Sequence, residues 1–391
     1  MANANELLEK GRKAIGENNA RVAEQCFREA LSADSNFVEA QAELSRILAV
    51  TGRMAEAEDL VERALKTNPN HALALAMKGA FLLAANRASD ARTWLQRAIT
   101  SNPGLDMAYV NLGIAQREMK NFSESENNLR KAIELKPTNY EAHYCLGYTL
   151  SLNGKVEEGI REVLESVKIN PIFLQGYLAL GDLLTKGKQP DAAEILYREA
   201  LNHIPDAIPI RERLVGLCMR RKDFPGIEVQ REEIATRRNQ PGDWLELGKI
   251  YVVNKKFDRA VEAFEKAADL APQSWEPHYN LGEIYDLAKM DAEAGREFEL
   301  SVQYNRNSFK PHNGLGLFRL KQNRVNDAIE ELKLAVNLAP ESPIPAYNLA
   351  LAFAKAQKKG QARECLNRVI ASPEAGELKD HARRLMKTLS V

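Results

Sequence analysis

The chain has 391 residues, of which 45% are apolar and 28% are charged, with 54 Lys and Arg against 54 Asp and Glu. A net charge of zero argues against a dedicated nucleic-acid or membrane-surface protein, because both need an excess of positive charge. No run of 18 apolar residues and no basic-then-apolar N-terminal segment is present, so neither a transmembrane helix nor a signal peptide is predicted.

Proline recurs at a fixed interval in the first half of the chain: Pro69, Pro103, Pro137, Pro171 and Pro205 are each 34 residues apart. Glycine and alanine keep the same interval over most of the chain. Between two prolines lie two segments with helical apolar periodicity, joined by a short polar stretch. The interval therefore predicts a repeating helical hairpin, with eleven hairpins and a final helix in 391 residues.

Repeats 1 to 6 form the predicted N-terminal array, residues 1–207. Repeat 1 has Ser35 where the terminating proline is expected, as terminal repeats are commonly atypical. Ser45 replaces the glycine of repeat 2, and Gly159 and Ser166 replace alanines of repeat 5. These residues are all small, so close packing of the hairpins is expected to survive. The repeats span 4–37, 38–71, 72–105, 106–139, 140–173 and 174–207.

Repeat 7, residues 208–240, departs from the pattern. Val215, Ile227 and Ile234 stand at its small positions, and it is one residue short. It also collects eight basic residues. One interpretation is a degenerate repeat with a solvated basic face; the other is a joint between two arrays with a site for an acidic partner. The basic residues are Arg211, Arg213, Arg220, Arg221, Lys222, Arg231, Arg237 and Arg238.

Repeats 8 to 11 form the predicted C-terminal array, residues 241–376, with bounds 241–274, 275–308, 309–342 and 343–376. Segment 377–391 is amphipathic and is predicted to be a capping helix, because an end repeat exposes an apolar face. Repeat 8 has the most complete pattern. Its first helix places Trp244, Leu247, Gly248 and Tyr251 on one face, its second carries Ala260 and Phe264, and Pro272 ends it.

That residue set resembles the tetratricopeptide repeat signature: Trp, two residues, Leu-Gly, two residues, Tyr, then Ala, three residues, Phe, and Pro. The resemblance covers essentially the whole chain. It implies an all-α fold, a TPR α-solenoid in which helical hairpins form a right-handed superhelix with a C-terminal capping helix. It also implies a non-catalytic protein that binds other proteins.

In tetratricopeptide proteins the first helices of the repeats line a groove for extended peptides or helices. Carried over by position, the groove of repeats 3 to 5 is mostly apolar, while that of repeats 8 to 11 combines aromatic, amide and lysine side chains. Some families bind the peptide backbone with a groove asparagine at one of these positions. The alternative interpretation is that these are ordinary polar residues on a solvated concave surface. The predicted groove residues are Asn111, Tyr144, Tyr148, Lys249, Tyr279, Asn280, Lys310, Asn313, Tyr347 and Asn348.

The carboxylate clamp with which some tetratricopeptide domains bind chaperones is incomplete here. Lys249, Asn280 and Lys310 match it, but Leu245 and Gly314 stand where basic or polar residues belong. Binding of a chaperone tail is therefore not expected.

No catalytic motif is recognisable, and no cofactor or metal is expected: the Walker, GxGxxG, GxSxG and HExxH patterns are all missing from the sequence. His143, His278 and His312 share one repeat position, but equivalent helices lie about 10 Å apart, too far for a shared zinc ion. The four cysteines have no CxxC spacing, and we interpret them as reduced, buried thiols of a cytoplasmic protein.

The sequence thus predicts an adaptor or scaffold that binds partner peptides or helices in its groove, with no nucleic acid and no membrane insertion. A hydrophobic or helical stretch of the ligand is expected toward the N-terminal half, and an extended acidic stretch toward the C-terminal half. Two alternatives stay open: a self-assembling structural protein, which makes a homo-oligomer, and a regulatory subunit of a separate enzyme.

Overall fold

The computed structural model describes residues 3–17 and 19–389. Every regular element in these residues is helical, which confirms the predicted all-α class. Twenty-two α-helices follow one another as eleven hairpins, and a short 3-10 helix, Pro373–Ala375, precedes a last α-helix. None of these helices is long and apolar enough to cross a membrane.

The first helix of each repeat is called its A-helix and the second its B-helix. In chain order the helices are α1 (Ala4–Gly16), α2 (Ala20–Ala33), α3 (Val38–Val50), α4 (Met54–Thr67), α5 (Ala72–Ala84), α6 (Ala88–Ser101), α7 (Asp106–Glu118), α8 (Phe122–Leu135), α9 (Tyr140–Leu152), α10 (Val156–Ile169), α11 (Leu174–Lys186), α12 (Pro190–His203), α13 (Ile208–Arg221), α14 (Phe224–Arg238), α15 (Pro241–Val253), α16 (Phe257–Leu270), α17 (Trp275–Leu287), α18 (Asp291–Tyr304), α19 (Phe309–Lys321), α20 (Val325–Leu338), α21 (Pro343–Lys355), α22 (Lys359–Ala371) and α23 (Leu378–Thr388).

A glycine in the A-helix lets the two helices of a hairpin approach closely. A Cβ atom on Gly248 would lie 2.4 Å from Cε1 of Phe264, and one on Gly113 would lie 2.6 Å from Cγ of Leu129. Both partner side chains are fully buried. These glycines are required by helix packing, as the sequence predicts. The same contact, with the side chain sixteen residues later, recurs at Gly11, Gly79, Gly147, Gly181, Gly282 and Gly316.

In repeats 2 to 11 the turn between the two helices of the hairpin contains one residue with positive φ. Gly52 and Gly154 occupy it in two repeats, with φ of 80° and 83°. Lys255, with φ of 59°, occupies it in repeat 8. Because a residue with a Cβ is disfavoured in the left-handed region, the packing of the hairpin must offset the strain of this turn.

Neighbouring B-helices are joined by a recurrent ion pair. A base at the start of one B-helix contacts an acid on the preceding B-helix, and Lys256 Nζ lies 2.7 Å from Glu228 Oε1. The same arrangement joins Lys155 to Glu126 at 2.9 Å, and Arg53 to Glu24. The carboxylates are the more buried partners, with exposed side-chain fractions of 8%, 13% and 21% for Glu228, Glu126 and Glu24. These contacts fix the stacking of one repeat on the next.

The helices divide into two compact units, Met1–Ile210 and Arg211–Val391. Unit 1 has a core of leucines and alanines in which Phe27, Leu44 and Leu48 are fully or almost fully buried. In unit 2, Phe264 and Phe298 fill the equivalent space. The joint predicted for residues 208–240 remains a proposal.

Repeat 7 keeps a buried core despite its larger residues, since Val215, Ile227 and Ile234 are all buried. Part of its basic charge is neutralised within unit 2. Arg211 Nη2 lies 3.0 Å from Glu233, and Arg238 donates two hydrogen bonds of 2.7 Å to Asp243.

The predicted capping helix is present as α23. It packs on α21 and α22, where Ala382 and Leu389 are buried and Leu385 and Met386 are half-buried. Arg363 of α22 donates a 2.9 Å hydrogen bond to the Leu389 carbonyl oxygen, which ties the end of the helix to the last hairpin.

Candidate functional site

The A-helices of unit 2 present an open surface, which we call the unit-2 face. Two cavities of about 380 and 510 Å³ lie on it and share Glu283, Asp286 and Lys321. Because these residues belong to the walls of both cavities, the two cavities adjoin at α17 and α19, and together they are called the groove, which lies over α15, α17, α19 and α21. The side chains of the groove are Lys249, Val252, Tyr279, Asn280, Glu283, Ile284, Asp286, Leu287, Phe298, Leu317, Phe318, Leu320, Lys321, Leu351 and Lys355, with Gly314 also on its surface.

The three predicted asparagines of unit 2 have different surroundings. Asn313 and Asn348 are each 8% exposed, and Asn348 Nδ2 donates a 2.8 Å hydrogen bond to Asn313 Oδ1. Asn280 is half-buried on the groove wall and donates to the Glu276 carbonyl oxygen of its own helix at 2.7 Å. The Asn313 and Asn348 amides thus join neighbouring A-helices, while Asn280 is on the groove surface.

The lysines of the groove make internal contacts. Lys249 Nζ bonds Glu246 on its own helix at 2.7 Å, Lys321 pairs with Asp286, and Lys355 Nζ donates to the Leu320 carbonyl oxygen at 2.8 Å. Lys310 is exposed, and Tyr347 is half-buried against the C-terminal core. The charges of Lys249 and Lys321 are therefore paired with carboxylates, while Lys355 bonds a neutral carbonyl group.

Tyr279 and Glu283 form a linked pair on the groove. The tyrosine hydroxyl donates a 2.9 Å hydrogen bond to Glu283 Oε1. Burial raises the pKa of Tyr279, and the Glu283 charge adds to the rise. The surrounding protein also raises the pKa of Glu283 by desolvation, which the Tyr279 hydrogen bond only partly opposes. The hydroxyl and the carboxylate are thus hydrogen-bond partners on the groove wall.

The A-helices of unit 1 present the unit-1 face, a cavity of about 820 Å³ with both apolar and charged walls. Leu73, Met77 and Met107 belong to the predicted apolar surface. The charged part was missed by sequence reasoning: Glu43 is buried between Arg12 and Arg46, at 3.2 and 3.1 Å. Glu43 and Arg46 lie three residues apart on α3, a spacing that places an acid and a base side by side on one helix face, and this was the signal that could have found them.

Three other groove residues predicted in repeats 4 and 5 lie outside the walls of that cavity. Asn111 is half-buried on α7. Tyr144 makes an edge contact with Phe173 at 5.2 Å between ring centroids. Tyr148, which is 40% exposed, stacks under the Arg117 guanidinium at 5.1 Å. The structure therefore does not bring these three residues into one site with the unit-1 cavity.

The three equivalent histidines lie on A-helices, and each forms a hydrogen bond with a glutamate on the B-helix of the same repeat. Nδ1 of His143, His278 and His312 lies 2.8, 2.6 and 2.7 Å from a carboxylate oxygen. Nε2 of His143 also contacts the Pro137 carbonyl oxygen at 3.1 Å. The hydrogen bond to Glu162 raises the pKa of His143, burial opposes this, and the Pro137 carbonyl adds to the rise. These contacts give the histidines a structural role within each hairpin.

In residues 3–17 and 19–389, no group of three or more His, Cys, Asp or Glu side chains has the arrangement of a metal site. The four cysteines are free and buried, and burial raises the pKa of the Cys145 thiol to about 11. A thiol with a raised pKa is a poor nucleophile at neutral pH.

Four family models match the chain, and all four are described as tetratricopeptide repeat. They cover residues 14–81 and 52–116, 108–139, 128–161, and 245–308. Together these matches span 14–161 and 245–308, more than half of the sequence. The chain belongs to the tetratricopeptide repeat family. No curated protein matches it.

Several solved structures resemble this tetratricopeptide repeat chain. PilW, a widely conserved type IV pilus biogenesis factor, is 18% identical over 52% of this chain and 94% of its own, with a TM-score of 0.44. Yeast Tom70 is 11% identical over 99% and 95% of the two chains, with a TM-score of 0.42. The Cut9-Hcn1 hetero-tetramer of the APC/C contains a chain that is 12% identical over 100% and 92%, also with a TM-score of 0.42.

Proposed function

We propose that this tetratricopeptide repeat protein is a non-catalytic adaptor that holds segments of partner proteins on the A-helix faces of its two units. The observation that carries the proposal is the groove of two adjoining cavities on the unit-2 face. Leu287 is 70% exposed there, and Leu317 and Leu351 are half-buried. Exposed apolar side chains along a groove are typical of protein interaction sites.

The two faces support ligand segments of different character. On unit 1, Leu73, Met77 and Met107 offer an apolar floor to a hydrophobic or helical segment, beside the Arg12, Glu43 and Arg46 cluster. Methionine suits such a surface because its unbranched side chain adapts to varied partners. On unit 2, the groove of two adjoining cavities suits an extended segment, for which the Asn280 side chain and the lysines provide hydrogen-bond donors.

Cytoplasmic placement is part of the proposal. The four cysteines are buried as free thiols, the form that a reducing compartment maintains. No cofactor is needed for a function of this kind, since binding depends only on side chains of the two faces.

Affinity capture with the full-length chain tests the proposal. Captured proteins are quantified by mass spectrometry for wild type, for the groove variants Leu287→Lys and Met107→Lys, and for Leu338→Lys. Leu338 is 40% exposed on the B-helix α20, away from both faces, and serves as the matched control. Partners retained by wild type and Leu338→Lys but lost by a groove variant support the adaptor. Partners retained equally by all four proteins contradict it.

The self-assembling alternative is tested on the same variants. Light scattering after size-exclusion chromatography, across a wide range of protein concentration, measures the mass of the particle. A mass that rises with concentration in wild type and stays monomeric in Leu287→Lys assigns the groove to a second copy of the chain. A constant monomeric mass in all variants favours the adaptor.

A further inference from the structure

The hairpin turns of repeats 7, 8 and 9 present exposed apolar side chains at the edge of unit 2. In each turn two such side chains bracket a short basic stretch, and we call segments 219–224, 253–257 and 287–290 the turn row. In the described turns of repeats 2 to 6, Val50 and Leu152 are the only exposed large apolar side chains, one in each of two turns. The bracketing side chains of the turn row, all between 40% and 70% exposed, are Met219, Phe224, Val253, Phe257, Leu287 and Met290.

A lysine with positive φ stands in the middle of each of these three turns. Lys222, Lys255 and Lys289 have φ of 57°, 59° and 59°. Glycine and asparagine adopt this conformation at less cost, and they occupy the position in repeats 2, 3, 5 and 10. The three lysines are exposed, and none forms an ion pair with a carboxylate in the part of the chain that the structure describes. Three successive turns thus hold a free positive charge at a position that disfavours lysine.

The three turns lie next to one another. α14 packs on α15 and α16 packs on α17, so the hairpins of repeats 7, 8 and 9 are stacked in order. Asn254, in the turn of repeat 8, donates a 2.6 Å hydrogen bond to Glu228, which lies one helical turn beyond Phe224. Val252 and Leu287, near the ends of α15 and α17, both line the 380 Å³ cavity. The turn row is therefore one surface along a single edge of unit 2.

The turn row is positively charged, although the chain as a whole is neutral. Its three segments hold six basic residues and one acidic residue, Asp223. The Asp223 carboxylate accepts a 3.0 Å hydrogen bond from the Gly226 amide and so caps α14. Asp258 and Asp291 follow in the first turns of α16 and α18, where the helix N-terminus stabilises their charge. The six bases are Arg220, Arg221, Lys222, Lys255, Lys256, which pairs with Glu228, and Lys289.

We propose that the turn row is a contact surface for an anionic lipid bilayer, in which its apolar side chains enter the boundary between headgroups and acyl chains while its lysines meet the headgroup phosphates. The contact is peripheral, since no described helix is long and apolar enough to cross a membrane. Lysine suits this boundary because its apolar stem lies along buried neighbours while the ammonium group stays in water. Apolar side chains beside bases bind such surfaces through buried area and through attraction to anionic lipid.

A bilayer matches the turn row better than an acidic protein or a nucleic acid does. It offers apolar and anionic groups at neighbouring depths over its whole surface, and its lipids move laterally to meet each lysine. A protein would need apolar and acidic side chains matched to three separate turns. A nucleic-acid duplex offers phosphates but encloses its apolar surfaces, which leaves Val253 and Leu287 without partners. Binding through one row of turns is expected to be reversible and sensitive to salt.

Vesicle flotation with the full-length chain tests the proposal. The vesicles consist of phosphatidylcholine alone, or of phosphatidylcholine with about a third phosphatidylserine, which supplies the negative charge of a cytoplasmic leaflet. We expect the chain to bind only the anionic vesicles, and we expect rising salt to release it. A wild-type chain that binds neither kind of vesicle, or binds both equally, would overturn the proposal.

Two lysine variants locate the charged part of the contact. Lys255→Gln combined with Lys289→Gln removes two charges from the turn row and should weaken vesicle binding by about tenfold or more. Lys120→Gln combined with Lys188→Gln is the matched control, because these lysines hold the same turn position in repeats 4 and 6, with φ of 62° and 58°. They lack exposed apolar neighbours, so the control should change binding by less than about twofold. Equal losses in the two proteins would contradict the assignment to the turn row.

The apolar side chains have a test of their own that leaves the groove unchanged. Leu287 also lines the groove, so Val253→Gln combined with Met290→Gln is used, and it should weaken vesicle binding by about tenfold or more. In a second measurement, bromine-labelled lipid should quench the added fluorescence of Met290→Trp but not that of Leu338→Trp, which lies at the other end of its B-helix. Circular dichroism confirms that each variant is folded. Unchanged binding of the glutamine variant, or no quenching in Met290→Trp, would refute the entry of the apolar side chains.

A comparison with acidic polymers distinguishes the bilayer from other partners. Polyglutamate and a DNA duplex are titrated at the same concentration of negative charge as the anionic vesicles, with wild type and with the Lys255→Gln and Lys289→Gln variant. Tighter binding of wild type to vesicles than to either polymer supports the bilayer. Tighter binding to one of the polymers, lost in the variant, would assign the turn row to an acidic macromolecule and overturn the proposal.

Discussion

Gly248 offers a direct test of why the repeat needs a glycine in its A-helix. In a helix interior, replacing glycine by alanine ordinarily stabilises a protein by about 1 kcal/mol, because alanine loses less backbone entropy on folding. At Gly248 the added methyl group would lie 2.4 Å from Cε1 and 2.6 Å from Cδ1 of Phe264. Phe264 is fully buried and has no free space to move into.

The magnitude follows from these two opposing effects. Forcing an extra methyl group into a packed core costs about 1 to 3 kcal/mol. After the gain in helix propensity, Gly248→Ala is expected to lower the free energy of unfolding by about 1 kcal/mol. Gly216 is the matched control, because it lies inside α13 and a Cβ atom there meets nothing within 4 Å. Gly216→Ala should therefore stabilise the chain by about 1 kcal/mol.

Guanidinium unfolding of the full-length chain, followed by tryptophan fluorescence, measures both changes. The chain has three tryptophans, and a Trp94→Phe background leaves Trp244 and Trp275, which both report on unit 2. Every variant is made in this background, so that its free energy of unfolding is compared with that of the Trp94→Phe protein.

A double-mutant cycle isolates the contact itself. Repeat 2 carries Ser45 and Val61 at the two positions that Gly248 and Phe264 occupy in repeat 8, so a smaller partner is compatible with a larger A-helix residue. In a Phe264→Val background, Gly248→Ala should no longer destabilise the protein. If Gly248→Ala costs the same in both backgrounds, or stabilises as Gly216→Ala does, the explanation by helix contact is wrong.

Three further predictions concern single side chains. Lys256→Met should cost about 1 kcal/mol at neutral pH, a value reduced by solvent screening of the exposed lysine. Burial opposes ionisation of Glu228, but the hydrogen bonds from Lys256 and Asn254 and the charges of Lys256 and Arg259 together lower its pKa. This stability is therefore present above the usual glutamate pKa and lost as pH falls through the lowered value, so stability of the variant should depend less on pH in that range. Glu162→Gln should lower the raised pKa of His143, and an NMR titration measures the change. In wild type the pair contributes its full stability below the usual histidine pKa, and this contribution is lost as pH rises through the raised pKa. Asn348→Ala should lower the free energy of unfolding by about 1 to 3 kcal/mol in urea, because it removes a buried hydrogen bond.

Much of the fold was accessible from the sequence because the repeat is a local property. The 34-residue interval, the proline at its end and the recurring small residues where the two helices approach are all properties of one hairpin and need no knowledge of its neighbours. The turn was less accessible, since lysine at Lys255 has no propensity for its positive φ of 59°. Packing of the hairpin imposes that conformation on the residue.

The candidate site was only partly accessible, because it depends on which side chains meet between repeats. Sequence position placed Tyr279, Asn280 and Lys249 on the groove, and the structure locates them on the walls of its two cavities. Position alone could not reveal that Asn348 is bonded to Asn313, since the two are 35 residues apart and both are polar. Sequence position also predicted that a binding residue is missing at Gly314.

The sequence by itself determined that the chain is a series of helical hairpins with a capping helix, since periodicity and breakers act within about 34 residues. Only the tertiary structure decided which polar groups are satisfied internally and where space is left open. The reason is that hydrogen-bond partners and cavities are set by distances between side chains of different repeats. Gly314 shows this most clearly: its missing side chain leaves room for the Tyr279 ring, because a Cβ atom there would lie 2.7 Å from Tyr279 Cε2.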